Sequence, residues 1–207
     1  MINTIIFDLA EVLFTGFLGV DEKIAVEFDI NKSEIIDLLY TSDFNKLMEG
    51  KITELDFWSK VVNKSGRNMP IQMLSAITRN NFQEISGVRN LIYDLRRNYR
   101  LGLLSNHARE WIEYCENKFK YNHLFDVSLY SYEVGLRKPQ SKIFNVMLKK
   151  MNTKPDRCLF IDDNKENIDS ANKLGIKSIR FQTIEKLVED LKLLGIVQHE
   201  DKISRKI

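Results

Sequence analysis

The sequence is poor in the features that mark several classes of protein. Its 207 residues include two cysteines, Cys115 and Cys158, far apart and without the spacing of a zinc site, a redox motif or a disulfide framework. Both are expected to be reduced, buried thiols. No stretch approaches the roughly 18 consecutive apolar residues of a membrane span. The first residues carry neither a basic segment nor a small-residue cleavage signal, so a cytoplasmic protein is expected. Charge of one sign is missing too: 31 Lys and Arg face 29 Asp and Glu, a formal net charge of +2. Neither nucleic acid nor an anionic membrane is therefore expected as partner, and the run Arg96, Arg97, Arg100 is read as a solvated helix face. His123 and His199 show no ligand spacing; His107, beside a strand end, could line a site there but is read first as a surface or helix-start residue. There are no internal repeats.

What is present is an ordinary globular composition, 43% hydrophobic and 29% charged, with chain enough for one α/β domain carrying an insertion. Short apolar runs at residues 2–7, 101–104, 127–129, 158–161 and 178–181 read as buried strands. Helical spacing lies between them: Val88, Leu91, Ile92 and Leu95 in one crossover, and Ile143, Val146, Met147 and Met151 in another. Strands alternating with helices predict a three-layer αβα core around a mainly parallel, Rossmann-like sheet, built from residues 1–15 and 85–197.

Residues 16–84 break that rhythm and read as an inserted helical unit. Asn31 or Ser33 would cap one helix and Thr53 with Asp56 another, while Gly50 and Gly66 read as stops. Phe44, Leu47, Phe57, Trp58 and Val61 would form its small core. Residues 198–207 are polar and aperiodic, which predicts a flexible tail.

Four segments carry chemistry. In the first, a buried strand delivers Asp8 to its C-terminal end, the edge at which open α/β sheets bind their ligands; the carboxylate there can be a nucleophile, a metal ligand or a cap. The second strand ends in Ser105 and Asn106, a hydroxyl and an amide suited to an anionic oxygen. The third places Lys138 just before a helix start, with Pro139 near the first helical position. The fourth ends in Asp162 and Asp163, adjacent acids that repel one another unless a cation neutralises them. An all-oxygen donor set favours Mg²⁺ over Zn²⁺.

In this order the four segments resemble the motifs of the haloacid dehalogenase superfamily over residues 2 to about 181. The strings FDLAEVLF, GLRKPQSKIF and FIDDNKENIDSANKLGI are most similar to its small sugar-phosphate phosphatases, typified by glucose-1-phosphate phosphatase, and to the phosphatase domain of soluble epoxide hydrolase. The resemblance implies a Mg²⁺-dependent phosphatase of a small phosphorylated metabolite, monomeric or homodimeric, with residues 16–84 as a helical cap that selects the substrate. Asp8 would be the aspartyl nucleophile, and Ser105, Asn106 and Lys138 would hold the phosphoryl group. The metal would lie on Asp8, the backbone carbonyl of Ala10 and a fourth-motif acid. With Asn167 aligned to the family's later acidic position, that acid would be Asp163, leaving Asp162 to Lys138 or a metal-bound water.

Ala10 departs from the pattern, because most phosphatases of the family carry a second Asp there to protonate the leaving group, although the sugar-phosphate subgroup tolerates a small residue. Glu11, one position on, would project differently in an extended segment. Ala10 leaves open a degenerate binding or regulatory protein. It also leaves a phosphonatase using a cap lysine such as Lys46 or Lys51, or a dehalogenase, against which the pair Asp162 and Asp163 argues.

Overall fold

The computed structural model describes residues 1–197, so the tail expected at 198–207 lies outside the described residues. Five strands form one parallel sheet: β1 (Thr4–Phe7), β2 (Arg100–Ser105), β3 (Val127–Tyr130), β4 (Cys158–Asp162) and β5 (Lys177–Arg180), in the order β3-β2-β1-β4-β5. All five expected apolar runs are strands, with ends shifted by a residue or two.

Alternation along the strands explains the layers, since successive side chains point to opposite faces. Ile5, Phe7, Leu101, Leu103, Leu159 and Ile161 belong to one buried cluster. It includes Val88, Leu91, Ile92 and Leu95 of α6 (Val88–Leu95), Trp111 and Ile112 of α7 (Arg109–Phe119) and Leu187 and Leu191 of α11 (Ile184–Leu193). Ile6, Leu104 and Phe160 face the other way, into a second cluster with α9 (Ser141–Lys150) and α10 (Lys165–Lys173).

One local expectation needs correcting. The buried stripe of α9 is Ile143, Phe144, Met147 and Leu148, with Val146 only half-buried, because a helix packed on a sheet buries neighbouring positions as well as the i, i+3 pair. Pro139 lies near the first helical position as expected, just before the N-cap residue Gln140, in a turn that contains the cis peptide Lys138–Pro139.

Between β1 and α6 the chain forms five helices: α1 (Val20–Glu27), α2 (Lys32–Leu39), α3 (Ser42–Met48), α4 (Glu54–Ser65) and α5 (Ile71–Asn81). Their ends follow local chemistry. Asn31 accepts the Ser33 N–H at 2.9 Å to start α2, and Thr53 and Asp56 form a reciprocal capping box on α4. Phe57 and Trp58 are fully buried beneath them. The segment leaves and returns side by side: the Thr15 N–H bonds the Gln83 carbonyl at 2.8 Å and the Ile85 N–H the Leu13 carbonyl at 2.9 Å.

The helical segment rests on the sheet domain through close contacts. The Ser131 hydroxyl, at the start of α8 (Ser131–Val134), donates to the Met48 carbonyl at 2.5 Å. Gly50 has φ +68°, and a Cβ there would lie 2.6 Å from the Tyr132 carbonyl oxygen. Gly66 has a similar φ of +64° but open space around it. Gly50→Ala should therefore cost at least ~2 kcal/mol from backbone strain plus overlap, a fall in Tm of roughly 4–8 °C, and Gly66→Ala about half that. Thermal denaturation of both variants checks this, and equal losses would show that the Tyr132 contact contributes nothing.

Candidate active site

β1 is the central strand, and the chain builds outward from it first through β2 and β3, then back on the other side through β4 and β5. The carboxyl ends of β1 and β4 thus flank a topological switch point, where open α/β sheets bind ligands. Asp8 follows β1 and Asp162 ends β4, paired one residue beyond the Phe7–Ile161 register. Asp8, Asp162 and Asp163 each bring a carboxylate oxygen within 4.8 Å of the others.

Lys138 enters this acidic cluster from the turn before α9. Its Nζ lies 2.6 Å from Asp162 Oδ2 and 2.8 Å from Asp8 Oδ2, with the lysine side chain 1% exposed. Asp162 is the most heavily bonded of the acids: it also accepts the Asn164 N–H at 2.8 Å and the Asn167 amide at 3.0 and 3.1 Å. Asn106 grips Lys138 from the other side. Its Oδ1 accepts the Lys138 N–H and its Nδ2 donates to the Lys138 carbonyl, each at 2.8 Å. The Asn106 amide thus positions the lysine and keeps one N–H for the role toward an anion expected of it. Ser105 Oγ is fully buried and has no hydrogen-bond partner among the described residues.

The electrostatics follow from one ammonium among three acids. Burial pushes the Asp8 carboxyl well above the usual range; Lys138 opposes this, and Asp162 and Asp163 reinforce it. Burial works against the Lys138 charge, but the carboxylates of Asp162 and Asp8 outweigh it and raise its pKa. Asp163 is pushed up to about 6 by burial and then by Asp162. Negative charge is in excess, in a donor set made only of oxygens, which fits a hard divalent cation.

Ala10 faces a different environment. It lines a cavity of 140 Å³ between the helical segment and the sheet domain. Glu11 (φ +57°) turns its carboxylate back on the loop, accepting the Gly16 N–H at 2.7 Å. Lys46 and Lys51 are exposed, paired with Asp43 and Glu49, and neither lines this cavity. His107 does line it and is 4% exposed, contrary to the surface position expected for it. Its neighbour Ser105 marked the strand end, but burial of the ring depends on Phe82 and Trp111, which pack against it from α7 and the end of the helical segment.

The model of the haloacid dehalogenase-like hydrolase family matches residues 5–181. The chain belongs to that family. Among its curated relatives, D-ribitol-5-phosphate phosphatase of Bacteroides thetaiotaomicron is 27% identical, over 87% of this chain and 92% of that one. Glyceraldehyde 3-phosphate phosphatase of Methanothermobacter thermautotrophicus is 26% identical, over 86% and 85%. A family enzyme of Bacteroides thetaiotaomicron, solved with magnesium and inorganic phosphate, shares the fold at a TM-score of 0.71 and 24% identity, over 89% of this chain and 96% of that one. This haloacid dehalogenase-like hydrolase thus counts phosphatases among its curated relatives, and among its described residues no helix is long and apolar enough to cross a membrane.

The raised pKa of Asp163 makes a testable statement. Its folded value of about 6 exceeds the ordinary 3.8, so the fold favours the protonated acid. That contribution is full below pH 3.8 and is lost as pH rises through about 6. Without divalent cations, the wild type should lose more stability between those pH values than Asp163→Asn. Urea midpoints across the range measure the difference, and parallel curves for the two proteins would refute it.

Proposed function

We propose that this hydrolase is a Mg²⁺-dependent phosphatase of a small phosphorylated metabolite, with Asp8 as nucleophile and catalysis weakened by Ala10. The observation that carries the reading is the buried ammonium of Lys138 shared between Asp8 and Asp162, with Asp163 beside them. An Asp8 oxygen attacks phosphorus, the ester P–O bond breaks, and the leaving oxygen takes a proton from solvent water. A second water then attacks phosphorus and gives up a proton to solvent, the bond to Asp8 breaks, and inorganic phosphate leaves.

Asp8, Asp163 and the Ala10 carbonyl would hold the metal. When bound, Mg²⁺ supplies positive charge that neutralises the phosphoryl oxygens. Asp162 is already saturated by Lys138, Asn164 and Asn167, which supports for it a role in orienting the lysine. The unpartnered Ser105 hydroxyl and the Lys138 ammonium would receive phosphoryl oxygens, in a reaction dominated by positioning and charge neutralisation. The relatives that act on D-ribitol 5-phosphate and glyceraldehyde 3-phosphate support a sugar-phosphate type of substrate.

With Ala10 two residues beyond the nucleophile, no carboxylic acid stands there to protonate the leaving group. General acid–base help is worth about 10²–10⁴ in rate, or roughly 3–5 kcal/mol. Good leaving groups suffer least. Ala10 also favours a second reading, a protein that binds phosphate esters without cleaving them.

Phosphate release from sugar phosphates and from an activated acyl phosphate, with Mg²⁺, separates the two. Wild type should release phosphate, Asp8→Asn should abolish it, and Ala10→Asp should raise turnover of alkyl esters by up to ~10²–10⁴ with a smaller gain on the acyl phosphate. A wild type inactive on every substrate would leave the binding reading in place.

A further inference from the structure

The cavity beside Ala10 has a mixed lining. Phe17, Phe44 and Trp111 supply aromatic rings, with Phe17 stacked on Trp111 at 5.0 Å and tilted against Phe44 at 5.0 Å. Asn45, His107 and Arg137 supply polar groups. Three buried nitrogens of the lining residues, His107 Nδ1, Trp111 Nε1 and Arg137 Nε, have no hydrogen-bond partner among the described residues. The nearest acid to that Arg137 nitrogen is Glu49, at 3.5 Å.

Buried polar groups are rarely left unsatisfied in a folded protein, and each exception calls for an explanation, of which a bound ligand is one. His107 is held in place by its backbone and its ring neighbours. Its N–H donates to Ser131 Oγ at 3.0 Å, and Ser131 in turn donates to Met48 of the helical segment. Trp111 stands edge-on to the ring at 5.7 Å. Burial, reinforced by the Lys138 charge, pushes the imidazole pKa down to about 4, so the ring is neutral at pH 7 with one donor and one acceptor nitrogen. A neutral ring of that kind suits a hydroxyl, which both gives and takes a hydrogen bond.

The cavity volume sets the size of what it takes. At 140 Å³ it is close to the ~150 Å³ engineered cavity that accommodates benzene, about six non-hydrogen atoms. A hydroxylated chain of about three carbons fills that volume, and a pentitol would extend out through its open side. The cavity adjoins the phosphate end of the site, since Ala10 lies two residues beyond Asp8 and Asn106 follows Ser105, and both line it.

We propose that this cavity is the subsite for the organic part of the substrate, that it takes a hydroxylated chain of about three carbons, and that His107 selects it by hydrogen-bonding a hydroxyl. The proposal rests on the phosphatase reading above and adds a substrate class and a specificity-determining residue to it. Arg137 and the Trp111 indole N–H contribute further donors, and the rings of Phe17 and Phe44 pack the carbon chain.

The test compares kcat/KM for glycerol 3-phosphate, propyl phosphate and ribitol 5-phosphate, with acetyl phosphate reporting whether the enzyme hydrolyses at all. Wild type should favour glycerol 3-phosphate over propyl phosphate by about 10–100-fold, the effect of leaving a buried polar group unpaired. His107→Phe, which keeps an aromatic ring between Phe82 and Trp111, should bring that ratio near one, chiefly through KM. His107→Asn, with a polar atom near the Nδ1 position, should restore part of it. The ratio separates selection from structural damage, because a misfolded variant loses both substrates together. A wild-type ratio near one, an unchanged ratio in His107→Phe, or a preference for ribitol 5-phosphate overturns the proposal. Failure to release phosphate even from acetyl phosphate would instead sink the phosphatase reading. Calorimetric binding of glycerol 3-phosphate and propyl phosphate to Asp8→Asn with Mg²⁺ then decides the subsite alone: a preference for the hydroxylated chain supports it, and equal binding overturns it.

Discussion

The buried ammonium of Lys138 is the interaction on which the site depends. Three carboxylates converge where β1 and β4 end, and carboxylates withdrawn from water repel one another strongly. Lys138 makes that convergence tolerable, lying within 2.8 Å of Asp8 and 2.6 Å of Asp162. Much of the surrounding structure holds it there: the paired bonds of Asn106 fix its backbone, and Asn164 and Asn167 fix the carboxylate it meets. The compensation is incomplete, and the remaining negative charge leaves the site receptive to a cation.

Around this centre the fold divides the labour. The parallel sheet brings the ends of β1, β2 and β4 to one edge, and its two buried faces keep those ends in register. The helical segment contributes little to the charged cluster but supplies Phe17, Phe44, Asn45 and Met48 to the cavity next to it. Ser131 joins the two parts, bonded both to Met48 and to the backbone of His107. The charged cluster is therefore built from strand termini, which vary little in position. The cavity is built from packing between two units, where small changes in side chains alter the shape of the space.

Ala10 bears on both. Its position beyond Asp8 removes a carboxylic acid from the leaving-group side, while its small side chain opens onto the cavity and lies close to Gly16, where a Cβ would come within 2.8 Å of the Ala10 methyl group. The loop thus packs tightly over the alanine. Glu11, the nearest acid in sequence, is occupied by the Gly16 N–H and does not take over the position.

The strands and the helices α6 and α9 were legible because their burial follows period 2 and period 3.6, which are local properties of the backbone. The runs ending at Asp8, Ser105 and Asp162 carried the site in the same way, since a polar residue closing an apolar strand is visible without knowing its neighbours. The α9 stripe was misassigned between Val146 and Phe144 because both fit helical spacing, and only contact with the sheet chooses between them. The sequence by itself determined the fold class and the strand-end acids and lysine, and its family resemblance singled out Ala10. Only the tertiary structure decided that Asn106 serves Lys138, that Asp162 is saturated, and that His107 is buried beside a small cavity. Those facts depend on groups distant in the chain meeting in space, and no local periodicity records such meetings.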